Sequence, residues 1–477
     1  MKTNKQLPFW IFSLSVVFGL TLPVLIQDAM FQDAMLYSSV SHNLSQGIGT
    51  FWFPQYSKMN IAGLSSFHEH PPLLFGIQAL FFKVLGSSIY VERFYTLLMI
   101  VFNILLIHML WKEIFSKSDG QRKLGWLPVL FWMTIPVCFW SFRGNMMENT
   151  MSVFDLAAVL LFFYAIKSRR NEIFLLAGSG LMIFLASFTK GIPGLFPLAV
   201  PFLYWLTLRK TGFWQSVWQT AILFAVAATI YVVLFLFPES SESLSNYVFK
   251  RLLMRVDVMP TADYRLEILW RLVKELIPVM IMVSVVSAVA FFKKMKTGFS
   301  NHSSNILVFL LIGFSGSAPL ATTMVQKGWY LVPAFPYFAI GFALMISPMV
   351  AVWIEKINSQ KQAFRIFTFL TILMMAGVIV ITASQYGKVS RERETVADVY
   401  EIGKVVPRLS AITVPQEMYS EYNFILEGFL VRYFNISLDP REENEYFMKL
   451  KTLNADVPEG YKRVQISLNK YDLFKKQ

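Results

Sequence analysis

The chain alternates long apolar stretches with short polar ones. Apolar runs fall at 8–26, 89–111, 124–142, 147–166, 172–189, 192–208, 216–237, 268–292, 305–322, 329–353 and 364–384. Each approaches the roughly 20 residues an apolar helix needs to cross a bilayer. The pattern predicts a polytopic α-helical membrane protein of about eleven transmembrane helices, eleven to thirteen at the outside. One further segment, 71–85 (PPLLFGIQALFFKVL), is apolar but short, opens with two prolines and carries Lys83. It fits either another span or a helix lying at the interface.

Charge decides between these two. If 71–85 does not cross, the basic connections all face one side: Lys112, Lys117, Arg122 and Lys123; Lys167, Arg169 and Arg170; Arg209 and Lys210; Lys293, Lys294 and Lys296; Lys356, Lys361 and Arg365. Short basic loops mark the cytoplasmic face, so the N-terminus is expected there too. Counting 71–85 as a span would put every later basic run outside. The segment is therefore read as a juxtamembrane helix. The other side receives 27–88, the RGNMMEN turn, the TKG turn, 238–267, the QKGW turn and the tail. The tail, 385–477, turns polar and shows alternation such as YKRVQISL, which predicts a small outward α/β domain after a transmembrane domain of 1–384. The stretch FKRLLMRV (249–256) is basic and amphipathic, and reads as an ordinary interfacial helix.

Composition agrees with lipid as the main solvent. The 477 residues are 55% hydrophobic and 15% charged, against about 25% charge in a soluble domain. The net charge of +13 does not point to nucleic acid, because cytoplasmic loops account for it. The single cysteine, Cys138, excludes an intrachain disulfide or a cysteine metal site. The first apolar run is too long for a signal-peptide core and is read as a retained span.

Candidate chemistry concentrates in the loop 27–88, roughly sixty residues with little predicted regular structure, a length that is usually functional. Asp33 and Tyr37 lie one helical turn apart and share a face. Glu69 sits just ahead of a Pro-Pro pair that holds the chain extended. Asp28 reads as an exposed loop acid. On the same side lie isolated charges against apolar sequence: Arg143, Glu148, Lys190 in ASFTKGIPG, and Lys327 with Tyr330 in VQKGWYLVP. Any one cation could simply snorkel to the interface. As a set, against the positive-inside trend and beside two carboxylates, they suit an anionic lipid headgroup such as a phosphate.

The acid and the tyrosine one turn later, HPPL before an apolar helix ending KVLG, the RFYTLL span start, the TKG-x-PG turn and a K-x-x-Y-x-x-P entry to a late span together resemble the GT-C glycosyltransferases. The likeness is to the protein O-mannosyltransferase and lipid A aminoarabinose transferase branch, over residues 8–350. It implies an inverting transfer of a sugar from a polyprenyl-phosphate donor to a hydroxyl on a lipid, glycan or protein outside the cytoplasm. By the resemblance, Asp33 matches the general base and Glu69 the second acid. Lys190, Lys327 and Tyr330 match groups near the donor phosphate, with Tyr37, Arg143 and Glu148 in supporting polar positions. No obligatory cofactor is implied. His68, Glu69 and His70 carry donors that suit a divalent ion, which some relatives bind near these acids. The other reading is that His70 stands in for a lysine.

The sequence also departs from the family. Ala34 follows the acid where many relatives are acidic, and Leu36 and His70 replace an arginine and a lysine of the aminoarabinose branch. Two other functions compete. A transporter or flippase for polyprenyl-linked glycans would show internal repeats and mid-span charges, whereas the charges read as span-end residues. A catalytically dead lipid-binding relative is the third reading. Localisation is expected in a bacterial inner or plasma membrane with the active side outward, the endoplasmic reticulum being the eukaryotic equivalent.

Overall fold

The computed structural model describes residues 4–61, 64–116, 119–253, 261–293 and 298–477. Lys117, Lys294, Lys296 and the 254–256 end of the FKRLLMRV stretch lie outside them. In chain order the helices are α1 (Leu7–Leu25), α2 (Gln32–Ser45), α3 (Leu73–Leu85), α4 (Tyr90–Ile114), α5 (Trp126–Thr134), α6 (Pro136–Ser141), α7 (Met147–Ala165), α8 (Glu172–Lys190), α9 (Val200–Leu208), α10 (Phe213–Phe235) and α11 (Pro238–Ser245). They continue with α12 (Glu267–Phe292), α13 (Gly298–Ser317), α14 (Phe335–Lys356), α15 (Gln362–Ser384), α16 (Arg393–Val405) and α17 (Gln416–Phe434). This is an integral membrane protein. Among the described residues, nine helical segments are long and apolar enough to cross a bilayer. They contain α1, α4, α7, α8, α10, α12, α13, α14 and α15.

Two of the expected continuous spans are broken, and proline is the reason. The run 124–142 divides into α5 and α6 at Ile135, which is extended ahead of Pro136. A residue before proline is driven out of the helical region. The freed Val137 N–H donates to the Glu275 carboxylate, 2.7 Å away on α12. The run 192–208 begins as a 3-10 segment, Ile192–Ala199, with prolines in it, and becomes α-helical only at α9.

The short segment after the Pro-Pro pair forms α3, and its ends show that it does not cross. Arg93, in the first turn of α4, donates from Nε to the Gln27 carbonyl just past α1, at 2.9 Å. The loop from 27 to 88 thus leaves and re-enters the bundle at one face, with α2 and α3 packed on each other there. At the opposite end, Lys5 donates to the Glu355 carbonyl and Lys167 pairs with Glu113.

Charges are not confined to span ends, contrary to the sequence reading. Asp155 lies mid-way along α7 with no exposure, and neither carboxylate oxygen has a hydrogen-bond partner among the described residues.

The tail folds as a five-stranded sheet with α16 and α17. Its order is β2-β1-β3-β5-β4, with β1 (Ala411–Thr413), β2 (Ser437–Asp439), β3 (Tyr446–Leu450), β4 (Tyr461–Arg463) and β5 (Tyr471–Lys476). Strand β1 runs parallel to β2 and β3, and β5 pairs antiparallel with β3 and β4. The alternating YKRVQISL stretch contributes only its first three residues as strand. A second core joins this domain to the membrane part: Ala29, Met30, Ala34 and Met35 pack with Val399, Leu426, Phe429 and Leu430.

Two buried polar clamps fix the junction. Asp28 is 7% exposed, so it is not the exposed loop acid expected. Its carboxylate accepts from the hydroxyls of Tyr400 and Tyr433, and its backbone bridges to Lys388 and Ser390. Arg432 of α17 forms a bidentate pair with Glu92 (2.8 and 3.1 Å) and donates to the Ser87 and Ser88 carbonyls. Such a fork-to-fork pair fixes orientation as well as position.

Candidate active site

Helix α2 carries Asp33 in its first turn and Tyr37 one turn on. A buried amide network sets the helix in place. Asn145 and Gln78 exchange hydrogen bonds (2.9 and 2.6 Å), Asn145 also donates to Ser38 Oγ, and Ser41 donates to Gln78. This network ties α2 to α3 and to the turn before α7. Asp33 then faces a cavity of about 270 Å³ lined by Gln32, Leu36, Tyr37, Ile61, Glu69, His70, Arg251 and Tyr330.

A second, mostly apolar cavity of about 510 Å³ lies beside it. Met151, Ile192, Leu195, Phe196, Leu253 and Leu320 supply its apolar wall, and Glu69, Glu148, Lys190 and Arg251 its charges. Four residues line both cavities: Glu69, His70, Arg251 and Tyr330. Glu69 is buried and paired with Arg251. Lys190 ends α8, is buried, and pairs with Glu148; its ammonium also sits 4.6 Å from the Tyr330 ring centre. The TKG-x-PG turn is built for this approach. Gly191 has φ +89°, and a Cβ there would collide with the Tyr247 hydroxyl. At Gly194 a Cβ would strike the Ala186–Ser187 backbone.

The three residues with metal-ligand chemistry diverge. His68 stacks edge-on to Phe53 (6.0 Å between ring centres), Glu69 faces Arg251, and His70 Nε2 lies 3.3 Å from the Tyr37 hydroxyl. No group of three His, Cys, Asp or Glu among the described residues is arranged to hold a metal ion. These three residues therefore do not fit a shared metal ion, because each is committed to a different neighbour. Nor does His70 replace a lysine as a charge. Burial, then the fields of Lys190 and Arg251, hold its pKa well below 6.5, so the ring is neutral at pH 7. Burial lowers His68 to about 4, with Lys250 adding to the effect.

The structure thus brings Asp33, Tyr37, Glu69, His70, Glu148, Lys190 and Tyr330 together. It does not bring Arg143 or Lys327 to either cavity. Arg143 donates to the Leu20 carbonyl at 2.7 Å and covers Phe139. Lys327 sits by Trp329, 5.9 Å from its ring centre. Sequence reasoning missed Arg251. Its signal is visible, since FKRLLMRV is a basic run on the side that otherwise holds few cations, but such an amphipathic basic stretch reads equally as an ordinary interfacial helix. The segment Asn246–Leu252 is instead a π-helix that turns Arg251 onto Glu69. Single π turns recur at functional sites.

Against this geometry, comparison with known proteins shows what the fold resembles. ArnT from Cupriavidus metallidurans bound to undecaprenyl phosphate is similar in structure, with a TM-score of 0.62 at 12% identity, covering 99% of this chain and 98% of that one. Its apo state matches equally, over 98% of this chain and 96% of that one. The apo oligosaccharyltransferase of Archaeoglobus fulgidus gives 0.54 at 12% identity, over 92% of this chain and 65% of that chain. The fold is that of ArnT and of this oligosaccharyltransferase. By sequence, the model of the dolichyl-phosphate-mannose-protein mannosyltransferase family matches residues 69–237, from Glu69 to just past α10. No curated protein matches the chain by sequence.

Proposed function

We propose that the chain is an inverting glycosyltransferase that moves a sugar from a polyprenyl-phosphate donor to a hydroxyl acceptor. One observation carries this reading: an acid-bearing polar cavity and a cation-bearing apolar cavity meet at Glu69, His70, Arg251 and Tyr330. ArnT from Cupriavidus metallidurans binds undecaprenyl phosphate, which is consistent with a lipid donor here. The large cavity offers apolar wall to a prenyl chain, with Lys190 and Arg251 at its polar end for the phosphate. Asp33 stands in the small cavity, across the shared residues, where an acceptor hydroxyl would enter. Inversion needs base and leaving group on opposite faces of the anomeric carbon, and the two cavities supply two sides.

A sugar hydroxyl is a poor nucleophile, and a positioned carboxylate base contributes about 10²–10⁴-fold. Asp33 takes the acceptor proton as the new glycosidic bond forms. The bond to the donor phosphate oxygen breaks, and the charge left there is stabilised by Lys190 and Arg251 in a site shielded from water. Glu148 and Glu69 hold these two cations in place before the donor arrives. The acceptor is a lipid, a glycan or a protein. The location is a bacterial inner or plasma membrane, and the positive-inside rule supports an orientation with 27–88 and 385–477 facing outward.

The test uses protein in nanodiscs with polyprenyl-phosphate sugars and a membrane extract as acceptor, following release of polyprenyl phosphate. Release by wild type and none by Asp33→Asn supports the mechanism. Equal release removes Asp33 from it. One observation favours a second reading: Asp155, buried mid-way along α7 with neither carboxylate oxygen bonded among the described residues, is what a proton-coupled flippase would use. That reading requires labelled donor lipid to cross the bilayer without phosphate release, and crossing to stop in Asp155→Asn.

A further inference from the structure

The face opposite the candidate active site carries two cavities that the transfer reaction does not use. One, about 600 Å³, is lined by Asn4, Lys5, Gln6, Lys123, Ile354 and Glu355 among others. The other, about 550 Å³, is lined by Trp10, His108, Lys112, Asp119 and Arg122, together with Asn4, Gln6 and Lys123. The three shared residues make them one continuous depression between the start of α1, the 119–123 turn and the ends of α4 and α14.

Its chemistry is selective. Four cations line it (Lys5, Lys112, Arg122 and Lys123) against two acids. Asp119 is turned onto its own backbone, accepting from the Gln121 N–H at 2.8 Å. Glu355 stands exposed at the rim, its carboxylate beside Gly120. Two of the cations are pre-positioned by backbone carbonyls: Lys5 donates to Glu355 O at 2.9 Å, and Arg122 to Lys112 O and to Phe115 O. An ammonium or guanidinium held on a neutral carbonyl keeps its full charge and spare donors for an anion. The floor is fixed as well, since Trp126 Nε1 donates to Gln6 Oε1 at 2.9 Å and Phe9 stacks on Trp126. Apolar surface adjoins the depression. Leu7 of α1 and Ile366, Phe369 and Leu370 of α15 are exposed where acyl chains would run.

We propose that this depression is a binding site for the phosphate headgroup of an anionic phospholipid of the leaflet on the basic face. Basic pockets between spans on that side are suited to such headgroups, each lysine near the surface adding to the attraction. The occupant ties α1 to the turn before α5 and to α14, three elements that otherwise meet here through few polar bonds. Lipid and free phosphate share the chemistry, but only a lipid also uses the exposed apolar flank.

Native mass spectrometry of the full chain released from nanodiscs tests this. The discs contain phosphatidylcholine with about one-fifth phosphatidylglycerol, or phosphatidylcholine alone. Wild type should retain phosphatidylglycerol over phosphatidylcholine. Lys5→Gln/Lys123→Gln should lower that occupancy about tenfold, while Lys5→Arg/Lys123→Arg restores it. Arg209→Gln/Lys210→Gln, which removes the same charge elsewhere on the face, should leave it unchanged. Equal retention of both lipids, or equal loss in both glutamine pairs, overturns the site. Displacement of the lipid by millimolar inorganic phosphate, with no lipid preference left, overturns the lipid assignment in favour of a soluble anion. Melting of each variant in phosphatidylcholine discs separates lost binding from lost folding.

Discussion

Replacing Lys190 with alanine leaves the Glu148 carboxylate with no solvent exposure and without its cation. Removing one partner of a buried ion pair destabilises by about 3–5 kcal/mol, because the remaining charge is neither hydrated nor paired. The ammonium's contact with the Tyr330 ring adds roughly 0.5–2 kcal/mol. The double change Lys190→Met/Glu148→Gln removes both charges at similar volume, so most of this loss, within about 1–2 kcal/mol, should disappear. Donor binding should behave differently. A hydrogen bond to a charged group is worth about 1.5–3 kcal/mol, so loss of Lys190 should weaken undecaprenyl phosphate binding roughly ten- to hundredfold in both variants. Thermal unfolding in nanodiscs reads the first effect and titration with undecaprenyl phosphate the second. If Lys190→Ala melts like wild type, the buried-pair argument fails. If the double variant binds undecaprenyl phosphate like wild type, Lys190 has no part in holding the donor.

Asp33→Asn should lower the turnover for polyprenyl phosphate release by about 10²–10⁴ while leaving donor affinity unchanged, and a matching loss of affinity would make Asp33 a binding residue instead. Lys327→Ala, which the family likeness would expect to weaken donor binding, should change it by less than about threefold, because Lys327 faces Trp329 and neither cavity. Arg432→Met strands Glu92, leaving it among the described residues only Arg93 at 3.4 Å, and should cost about 3 kcal/mol of stability in chemical or thermal unfolding; a neutral result would show that the junction of tail and bundle does not rest on this pair. Stability should also fall as pH drops from 6.5 towards 4. The unfolded chain then takes up a proton that His68, held at about 4 in the fold, refuses, and His68→Gln should flatten that part of the profile.

The membrane class, the approximate number of apolar runs, the sidedness of the basic loops and the Asp33–Tyr37 face were all legible in the residues, because bilayer thickness and helical period act locally. The same holds for α3: its Pro-Pro start and its charge context marked it as an interfacial helix, and Arg93 bonding to Gln27 shows the loop returning to its own face. Proline also signals locally, yet whether Pro136 kinks, breaks or merely begins a helix depends on a partner. Here Glu275, from a helix far along the chain, receives the Val137 N–H and makes the break tolerable.

What tertiary structure decided was which charges meet. Lys190 and Lys327 look alike in sequence, each a lone cation at an apolar boundary. Packing sends one onto Glu148 inside a cavity and the other onto Trp329 outside it. His68, Glu69 and His70 look like a ligand cluster because they are adjacent, but each side chain finds a different neighbour. Asp28 looks exposed until the tail folds over it with two tyrosine hydroxyls. Arg251 looks like a lipid-surface residue until a π turn aims it at Glu69. Hydrophobic burial depends on each residue's own side chain and repeats along the chain, so it can be read in order. Pairing of polar groups depends on residues distant in sequence and on short-range geometry, so only the folded chain settles it.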